Sequence, residues 1–454
     1  MHDPDHLIGE VDDYGITCAL LPKELEGLES GRRHIPIGSP FMNGTITGED
    51  VFIPLDYIIG GVERAGEGWK MLTDCLSAGR AIVLPSGAMS GAKAAVAVTG
   101  AYARAREQFG MPIAEFEGIL EPLGRMAGRT YIINASVSTT AMAIGAGEKP
   151  SVISAILKYH TTELARMIGQ DAMDIHGGKA VMLGPKNYLA QGYESTPVGI
   201  TVEGANIMTR SLIIFGQGAF RCHPYVLKEI EAVNIEDKNE SLEQFDHHLF
   251  GHIGYSISNA VRAFIGAARA YMKRDLAGLV SKEDGTAHYY KEINRLSSAF
   301  AFFTDISMLV MGGELKRKET ISARLGDVLS SLYLASTVLK HYEDNGEQDV
   351  DLALLDWTQK TLLSEAQDKM HETCNNFPNK LIGGLISSLC IGSSIEPPSI
   401  EETLKLGKLV SRNTKTRDKL IHGIYQKDEP TNHFAQMNTL LELCLLYTSD
   451  AADE

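Results

Sequence analysis

Apolar residues recur at three- and four-residue steps through most of the chain, and that recurrence predicts helices. After Gly66 and Gly68, the positions Ala78, Ile82, Pro85, Met89, Ala92 and Val96 fall on one stripe whose small residues allow close helix packing. Pro85 removes a backbone donor from this stretch and is expected to kink it. A second stripe, Leu123, Met126, Thr130, Ile133, Val137 and Ile144, stops in the cluster Gly145, Gly147, Pro150. A third carries Leu157, Leu164, Ile168, Ala172 and Ile175 and ends at Gly177 and Gly178, residues that accept a left-handed turn. A fourth helix is predicted from near Ala205, with Met208, Leu212 and Phe215 on one face, after a loop from Leu183 to Thr201. Four long antiparallel helices make a bundle.

The pattern differs on either side. Val11 to Ile59 reads as strands and turns, with Gly15–Leu21, Ile35–Ile37 and Val51–Ile53 as the strands, and such short strands need a sheet to join. Beyond about Ala232 the polar run Glu236 to Glu243 reads as a linker. A new series then opens with Phe245, Leu249, Ile253, Ile257, Ala260 and Phe264 and continues through Ile321, Leu325, Val328, Leu332, Ala335 and Leu339, which predicts a separate all-α unit. Ser399 and Glu402 have the spacing of a capping box. The fold class is therefore mainly α. Residues 1–62 hold a β remnant, 63–232 a four-helix bundle and 233–443 an additional helical module, with 444–454 set apart as a tail.

Length and charge narrow this picture. A chain of 454 residues suggests two or three units with substantial cores. Its 58 acidic against 42 basic residues leave sixteen net negative charges, which repel nucleic acid unless a basic patch intervenes. The densest basic cluster, Lys316, Arg317 and Lys318, reads as a solvated turn between helices. Six scattered cysteines form no CxxC and no metal spacing, which fits reduced thiols and a cytoplasmic protein. No apolar run continues uninterrupted for the thickness of a bilayer.

Familiar chemistry is mostly absent: no GxGxxG after a strand, no P-loop, no GxSxG elbow, no HExxH. His248 and His252, four apart on one helix face, would offer two metal ligands, but no third stands nearby in sequence, so no metal is assigned. Two strings remain, Arg104 to Gly110 (RAREQFG) and Val202 to Arg210 (VEGANIMTR), and the resemblance they carry brings in a third between them, Asp171 to Gly178 (DAMDIHGG). In order and spacing they resemble the RxQFG, AVQIHGG and catalytic EGT segments of acyl-CoA dehydrogenases, over roughly residues 7 to 228. The chain from about residue 235 resembles the extra carboxy-terminal helical module of large bacterial FadE-type fatty acyl-CoA dehydrogenases.

On the residues alone, Glu203 either caps the helix that follows or serves as a base whose ionised form is disfavoured by apolar neighbours. The resemblance implies the second: Glu203 removes the α-proton of a medium- to long-chain fatty acyl-CoA, FAD takes the β-hydride, and a trans-2-enoyl-CoA results. Some relatives place the base on an earlier helix just before an arginine that matches Arg80; this chain has Gly79 there, and Arg80 is left as a charged neighbour of the base. Arg106, Gln108 and Phe109 match positions that contact the flavin diphosphate and adenine across a subunit boundary, and Gly177 and Gly178 let backbone approach the same cofactor. Asp174, Ala205 and Ile207 depart from the family pattern at flavin-facing positions. The resemblance further implies a homo-oligomer in β-oxidation, an electron-transfer flavoprotein as acceptor, and apolar N-terminal segments in large relatives that associate with membrane. An acyl-CoA oxidase shares the fold and hands its electrons to oxygen instead; a non-catalytic helical scaffold would not need Glu203, Arg80 and Arg106 together. The family also begins with a helical domain and half a β-domain that are not matched here, so the chain alone is expected to be inactive and to bind flavin poorly. The last stretch, CLLYTSDAADE from Cys444, does not resemble the family's continuation and reads as non-native.

Overall fold

The computed structural model describes residues 1–38, 43–275, 285–427 and 429–450. The N-terminal region holds an antiparallel hairpin of β1 (Leu28–His34) and β2 (Asn43–Gly48), paired from Leu28↔Gly48 to His34↔Asn43 with a bulge between Ser30 and Arg33. The three strands expected from the sequence fall beside it instead. Residues 15–21 make only a bridge, Ala19↔Ile58, with Leu20 N–H donating to Tyr57 O and Ile59 N–H to Cys18 O, both at 2.9 Å. Residues 36–38 form a 3₁₀ turn, and 51–53 pair with nothing in a ladder. Apolar residues mark extended backbone here, but extended backbone becomes a strand only where a neighbour supplies its hydrogen bonds.

The bundle follows the predicted stripes. α1 (Gly68–Ala105) runs through Pro85 without a break, followed by a minimal hairpin of β3 (Glu107–Gln108) and β4 (Met111–Pro112). α2 (Glu117–Gly145) buries Leu123, Met126, Thr130, Ile133 and Val137, and α3 (Ser151–His176) buries Leu157, Ile168, Ala172 and Ile175. After a single turn, α4 (Gly178–Val181), the segment expected as loop contains a twelve-residue helix, α5 (Ala190–Thr201). The fourth bundle helix is shorter and less regular than predicted: α6 (Asn206–Met208) leads into a π-helical turn at Thr209–Ile214 and then α7 (Phe215–Arg221). A π turn carries an extra residue and rotates the face. Thr209, Ile214 and Phe215 point inward as a result, while Met208 is exposed.

Nine further α-helices follow among the described residues, in two stages. α8 (Val226–Val233) precedes α9 (Lys238–Asp275), α10 (Ala287–Met311), α11 (Glu319–Asp344) and α12 (Asp349–Asn375); α13 (Lys380–Ile386), α14 (Ile400–Val410), α15 (Lys415–Leu420) and α16 (His433–Asp450) follow. The polar run expected as a linker is largely the first turn of α9, with Asp237 accepting from the Asn239 and Glu240 amides at 2.8 and 3.0 Å. Lys316–Lys318 lies in the turn between α10 and α11, and Ser399 with Glu402 forms a full capping box on α14.

The helices after residue 232 do not build a core of their own. Leu123, Met126 and Ile133 of α2 share one buried cluster with Leu325 of α11, Trp357 of α12 and Leu406 of α14. α2 and α14 approach so closely that Gly124 has no room for a Cβ against Thr403 O, nor Gly407 against Leu120 O. Each leucine fully buried there contributes about 1.5–3 kcal/mol. Two helical stretches, Gly68–Ala105 and Ala287–Lys316, are long and apolar enough by length and composition to cross a membrane. Reading for uninterrupted apolar runs missed them because their apolar character comes from alanine, glycine and short apolar blocks set among hydroxyl residues.

Candidate active site

α1 and α3 run parallel, and two groups of sequence-predicted residues sit at their opposite ends. At the N-terminal end, α5 finishes at Thr201 and residues 202–205 turn back into α6. Glu203 takes φ 55° and Gly204 φ 91°. Two successive positive φ values reverse the chain tightly, and for glutamate that conformation costs about 1–2 kcal/mol. The cost persists only where surrounding contacts over-determine it.

Those contacts come from two cations and a hydroxyl. Arg80 Nη1 donates to Glu203 O at 3.3 Å. The Lys158 ammonium, fully buried on α3, donates to Ile200 O at 3.1 Å, Gly204 O at 2.8 Å and Asn206 Oδ1 at 2.7 Å. Thr209 Oγ1 adds a bond to Gly204 O at 3.3 Å. Asn206, itself buried, passes the connection on through Nδ2 to Thr162 Oγ1 and Glu163 Oε1 at 3.0 and 2.8 Å, and Glu163 pairs with Arg166. Burial pushes the Lys158 ammonium down to about 8, assisted by Arg80 and opposed by the charges of Glu203 and Glu163. Burial also lowers the pKa of Arg80, with Glu203 partly offsetting it, and Arg80 Nε is buried without a partner among the described residues.

The Glu203 carboxylate is exposed, and Val202 beside it is exposed too. The apolar surrounding expected for this residue is therefore not made by these residues: the turn points the side chain outward, away from the bundle core. Nor is Glu203 a cap, since α6 starts from Ala205 with no side-chain hydrogen bond to its first amides. A Cβ at Gly79 would meet nothing within 4 Å, so the position before Arg80 is open space. One turn further along α1, Leu84, Gly87 and Gly91 face Thr162, Ile168 and Gly199 across an apolar groove of about 420 Å³ between α1, α3 and α5.

The other end is built differently. Arg106 N–H closes α1 on Tyr102 O, and the β3–β4 turn puts Phe109 at φ 56° and Gly110 at φ 80°. Arg106 and Gln108 are exposed, and Phe109 is 93% exposed with only an edge contact to Phe116 at 6.2 Å. Tyr102 stacks on His176 at 4.2 Å, which brings this hairpin to the end of α3 where Gly177 (φ 54°) and Gly178 are exposed with open space at both Cβ positions. Asp174 is exposed on the last turn of α3. Glu203, Arg80 and Ala205 thus form one group, and Arg106, Gln108, Phe109, Asp174, Gly177 and Gly178 the other. Arg80 and Arg106 are about 26 residues apart on α1, about 39 Å at the rise of a helix.

Lys158 escaped the sequence reading because it adjoins Leu157 and passes for the polar edge of a core stripe. Its signal was a lysine flanked by Ile156, Leu157 and Tyr159 in a helix that otherwise buries that side. The histidine reading also changes. Among the described residues, the group of three potential ligands close enough to share an ion is His223, His252 and Asp305, within 4.8 Å of one another, and His248 lies outside it against His247. His223 Nδ1 accepts from the Tyr225 and Val226 amides at 3.2 Å, so its proton sits on Nε2 and donates to Asp305 Oδ1 at 2.9 Å. His252 bridges Glu229 at 2.8 Å and Asp305 at 3.4 Å. These atoms are engaged in a hydrogen-bonded network joining α8, α9 and α10.

Comparison with known proteins gives a consistent assignment. The family described as "Acyl-CoA dehydrogenase, C-terminal, bacterial type" matches residues 220–449, and "Acyl-CoA dehydrogenase, C-terminal domain" matches residues 66–216. Protein HemX of Proteus mirabilis is 54% identical over 101 residues, 22% of this chain and 59% of that protein. A probable acyl-CoA dehydrogenase, FadE10 of Mycobacterium tuberculosis, is 24% identical over 370 residues, 78% of this chain and 54% of its own length. The chain thus spans just over half the length of these relatives. In fold it is similar to an acyl-CoA dehydrogenase from Bacillus anthracis solved with FAD, at a TM-score of 0.65 and 18% identity, covering 87% of this chain and 65% of that one.

Proposed function

The chain belongs to the acyl-CoA dehydrogenase family, and on that premise we propose that it serves the FAD-dependent α,β-dehydrogenation of medium- to long-chain fatty acyl-CoA in β-oxidation, with Glu203 as the base. The observation that carries this reading is the Glu203 turn: a carboxylate held outward in a left-handed conformation, above a charged lysine and beside Arg80, next to the open position at Gly79. A base must reach its proton before its pKa matters, and outward presentation on a clamped turn meets that requirement.

Glu203 takes the α-proton of the thioester, and Arg80 holds the turn through the Glu203 carbonyl. FAD, when bound, would supply the acceptor for the β-hydride, and the product would be a trans-2-enoyl thioester. The exposed guanidinium of Arg106 suits a diphosphate, and the exposed Gly177–Gly178 turn leaves open space through which a cofactor would approach the backbone. Asp174 does not suit an anion, so it would turn away from the diphosphate. The separation of about 39 Å between Arg80 and Arg106 supports the further proposal that each chain lends its hairpin to a neighbour's cofactor, in a homo-oligomer whose electrons pass to an electron-transfer flavoprotein. The apolar groove along α1 lies within the size range of small-molecule sites, about 300–1,000 Å³, and is proposed to take part of the acyl chain.

The test is Glu203→Gln in the FAD-loaded holoenzyme. Flavin content should stay at the wild-type level, while anaerobic bleaching of the flavin by palmitoyl-CoA should disappear. Bleaching at the wild-type rate in that variant overturns the assignment of the base.

A further inference from the structure

A charge at position 158 is costly. Lys158 is fully buried, its ammonium touches no carboxylate directly among the described residues, and a methionine or leucine would fill the same space without losing hydration. What the ammonium does touch is one short segment. Ile200 O belongs to the last turn of α5, where a helix presents unpaired carbonyls and partial negative charge. Gly204 O follows the Glu203 peptide, and Asn206 opens α6. The three oxygens bracket Glu203 on both sides, so one cation closes the loop around it.

We infer that Lys158 is a positioning residue for the proposed dehydrogenation: its ammonium ties the end of α5 to the start of α6 and so holds Glu203 in the left-handed conformation that presents its carboxylate. The inference rests on Glu203 being the base. Arg80 restrains the same turn from α1 through a longer bond to Glu203 O, and Thr209 restrains Gly204 O, but neither spans the loop. The charged groups facing Lys158 are Glu203 from the loop, Arg80 from α1 and Glu163 from α3 itself. Near pH 8 the ammonium gives up a proton, and a neutral amine has two donors for three oxygens and turns its lone pair on one of them. The loop is then released at one point.

The experiment uses the FAD-loaded holoenzyme as wild type, Lys158→Met and Glu203→Gln, with flavin content, the saturating rate of anaerobic bleaching by palmitoyl-CoA, the half-saturating concentration and the rate's pH profile all measured. Lys158→Met should keep its flavin and its half-saturating concentration, and its saturating rate should fall on the order of 10²-fold, the effect of misplacing a reacting group by about 1 Å. The wild-type rate should decline as pH rises through about 8, and that limb should be missing from Lys158→Met. A Lys158→Met enzyme with the wild-type rate and profile, alongside a dead Glu203→Gln, overturns the inference and leaves the base assignment standing. A Glu203→Gln enzyme that bleaches normally overturns the base assignment itself. If Lys158→Met does not fold, the wild-type profile decides: a rate that stays flat through pH 8 and above removes the lysine from the reaction.

Discussion

Where α1 and α3 begin, polar groups are drawn inward: Lys158 is fully buried, Asn206 is buried, and the backbone carbonyls of Ile200, Glu203 and Gly204 are taken up by side chains of α1, α3 and the π turn. Where the same two helices end, Arg106, Gln108 and Phe109 stand in solvent, and Gln108 Nε2 finds only the neighbouring Glu107 carbonyl at 2.5 Å. The first end is organised by this chain itself. The second leaves its side chains in solvent, and the proposed function gives them to the cofactor.

The contrast can be broken at its exposed end first. Arg106→Ala removes an exposed charged side chain for which no hydrogen bond or ion pair is seen among the described residues, so secondary structure should be unchanged while FAD affinity of the holoenzyme falls by about 10–100-fold, as expected for one charge-assisted hydrogen bond. Unchanged affinity by flavin-fluorescence titration would mean that the hairpin binds no diphosphate.

A second prediction sharpens the buried end. The Lys158 pKa of about 8 in the folded protein lies below its ordinary 10.5, so between those values the unfolded chain binds more protons. Stability should therefore rise as pH goes from about 8 to 10.5, and the gain is lost again as pH falls through 8. Denaturant midpoints measured across that interval should show this rise in the wild type and a flatter dependence in Lys158→Met. Activity and stability are thus expected to move in opposite directions with pH, because the proton that holds the turn is the one that burial disfavours.

The smallest expected effect lies between the two ends. Gly91→Leu places a side chain where a Cβ meets nothing within 4 Å, so the fold should tolerate it and α1 should gain helix propensity of about 1 kcal/mol. It should nevertheless slow bleaching by long acyl-CoA a few-fold relative to short acyl-CoA, by filling the groove. An unchanged ratio across chain lengths would exclude the groove as the acyl site.

Sequence periodicity carried α1 to α3 because each buries a continuous stripe: Leu123, Met126 and Ile133, or Leu157, Ile168 and Ile175, announce themselves by spacing. Ser399 and Glu402 were equally legible, since a capping box is local by nature. The setting of the Glu203 turn was not legible. Nothing in VEGAN states that Glu203 takes a positive φ or that a lysine forty-five residues earlier closes the loop, because that contact depends on how α3 and α5 pack. The same reason hid α5 itself, whose residues show weak apolar contrast, and the shared core, in which Gly124 lies against Thr403 and Gly407 against Leu120 across most of the chain length. Residues 236–243 misled for the opposite reason: a polar first turn resembles a linker until Asp237 is seen to cap it.

The π turn at Thr209–Ile214 adds a consequence of register. Immediately before the turn's midpoint, Arg210 grips Asp327 of α11 through Nε and Nη2 at 2.8 and 2.5 Å, an arrangement that raises the arginine's proton affinity. The extra residue acts as a vernier between that anchor and the helix beyond it, letting Phe215 seat in the core while Glu203, seven positions upstream of the anchor, keeps its outward direction. Deleting one residue between Leu212 and Ile214 would restore an ordinary α-helix at the expense of a rotation of about 100° between anchor and core. Insertions and deletions in this stretch, however conservative in composition, should therefore be felt at the Glu203 turn before they are felt in the stability of the bundle.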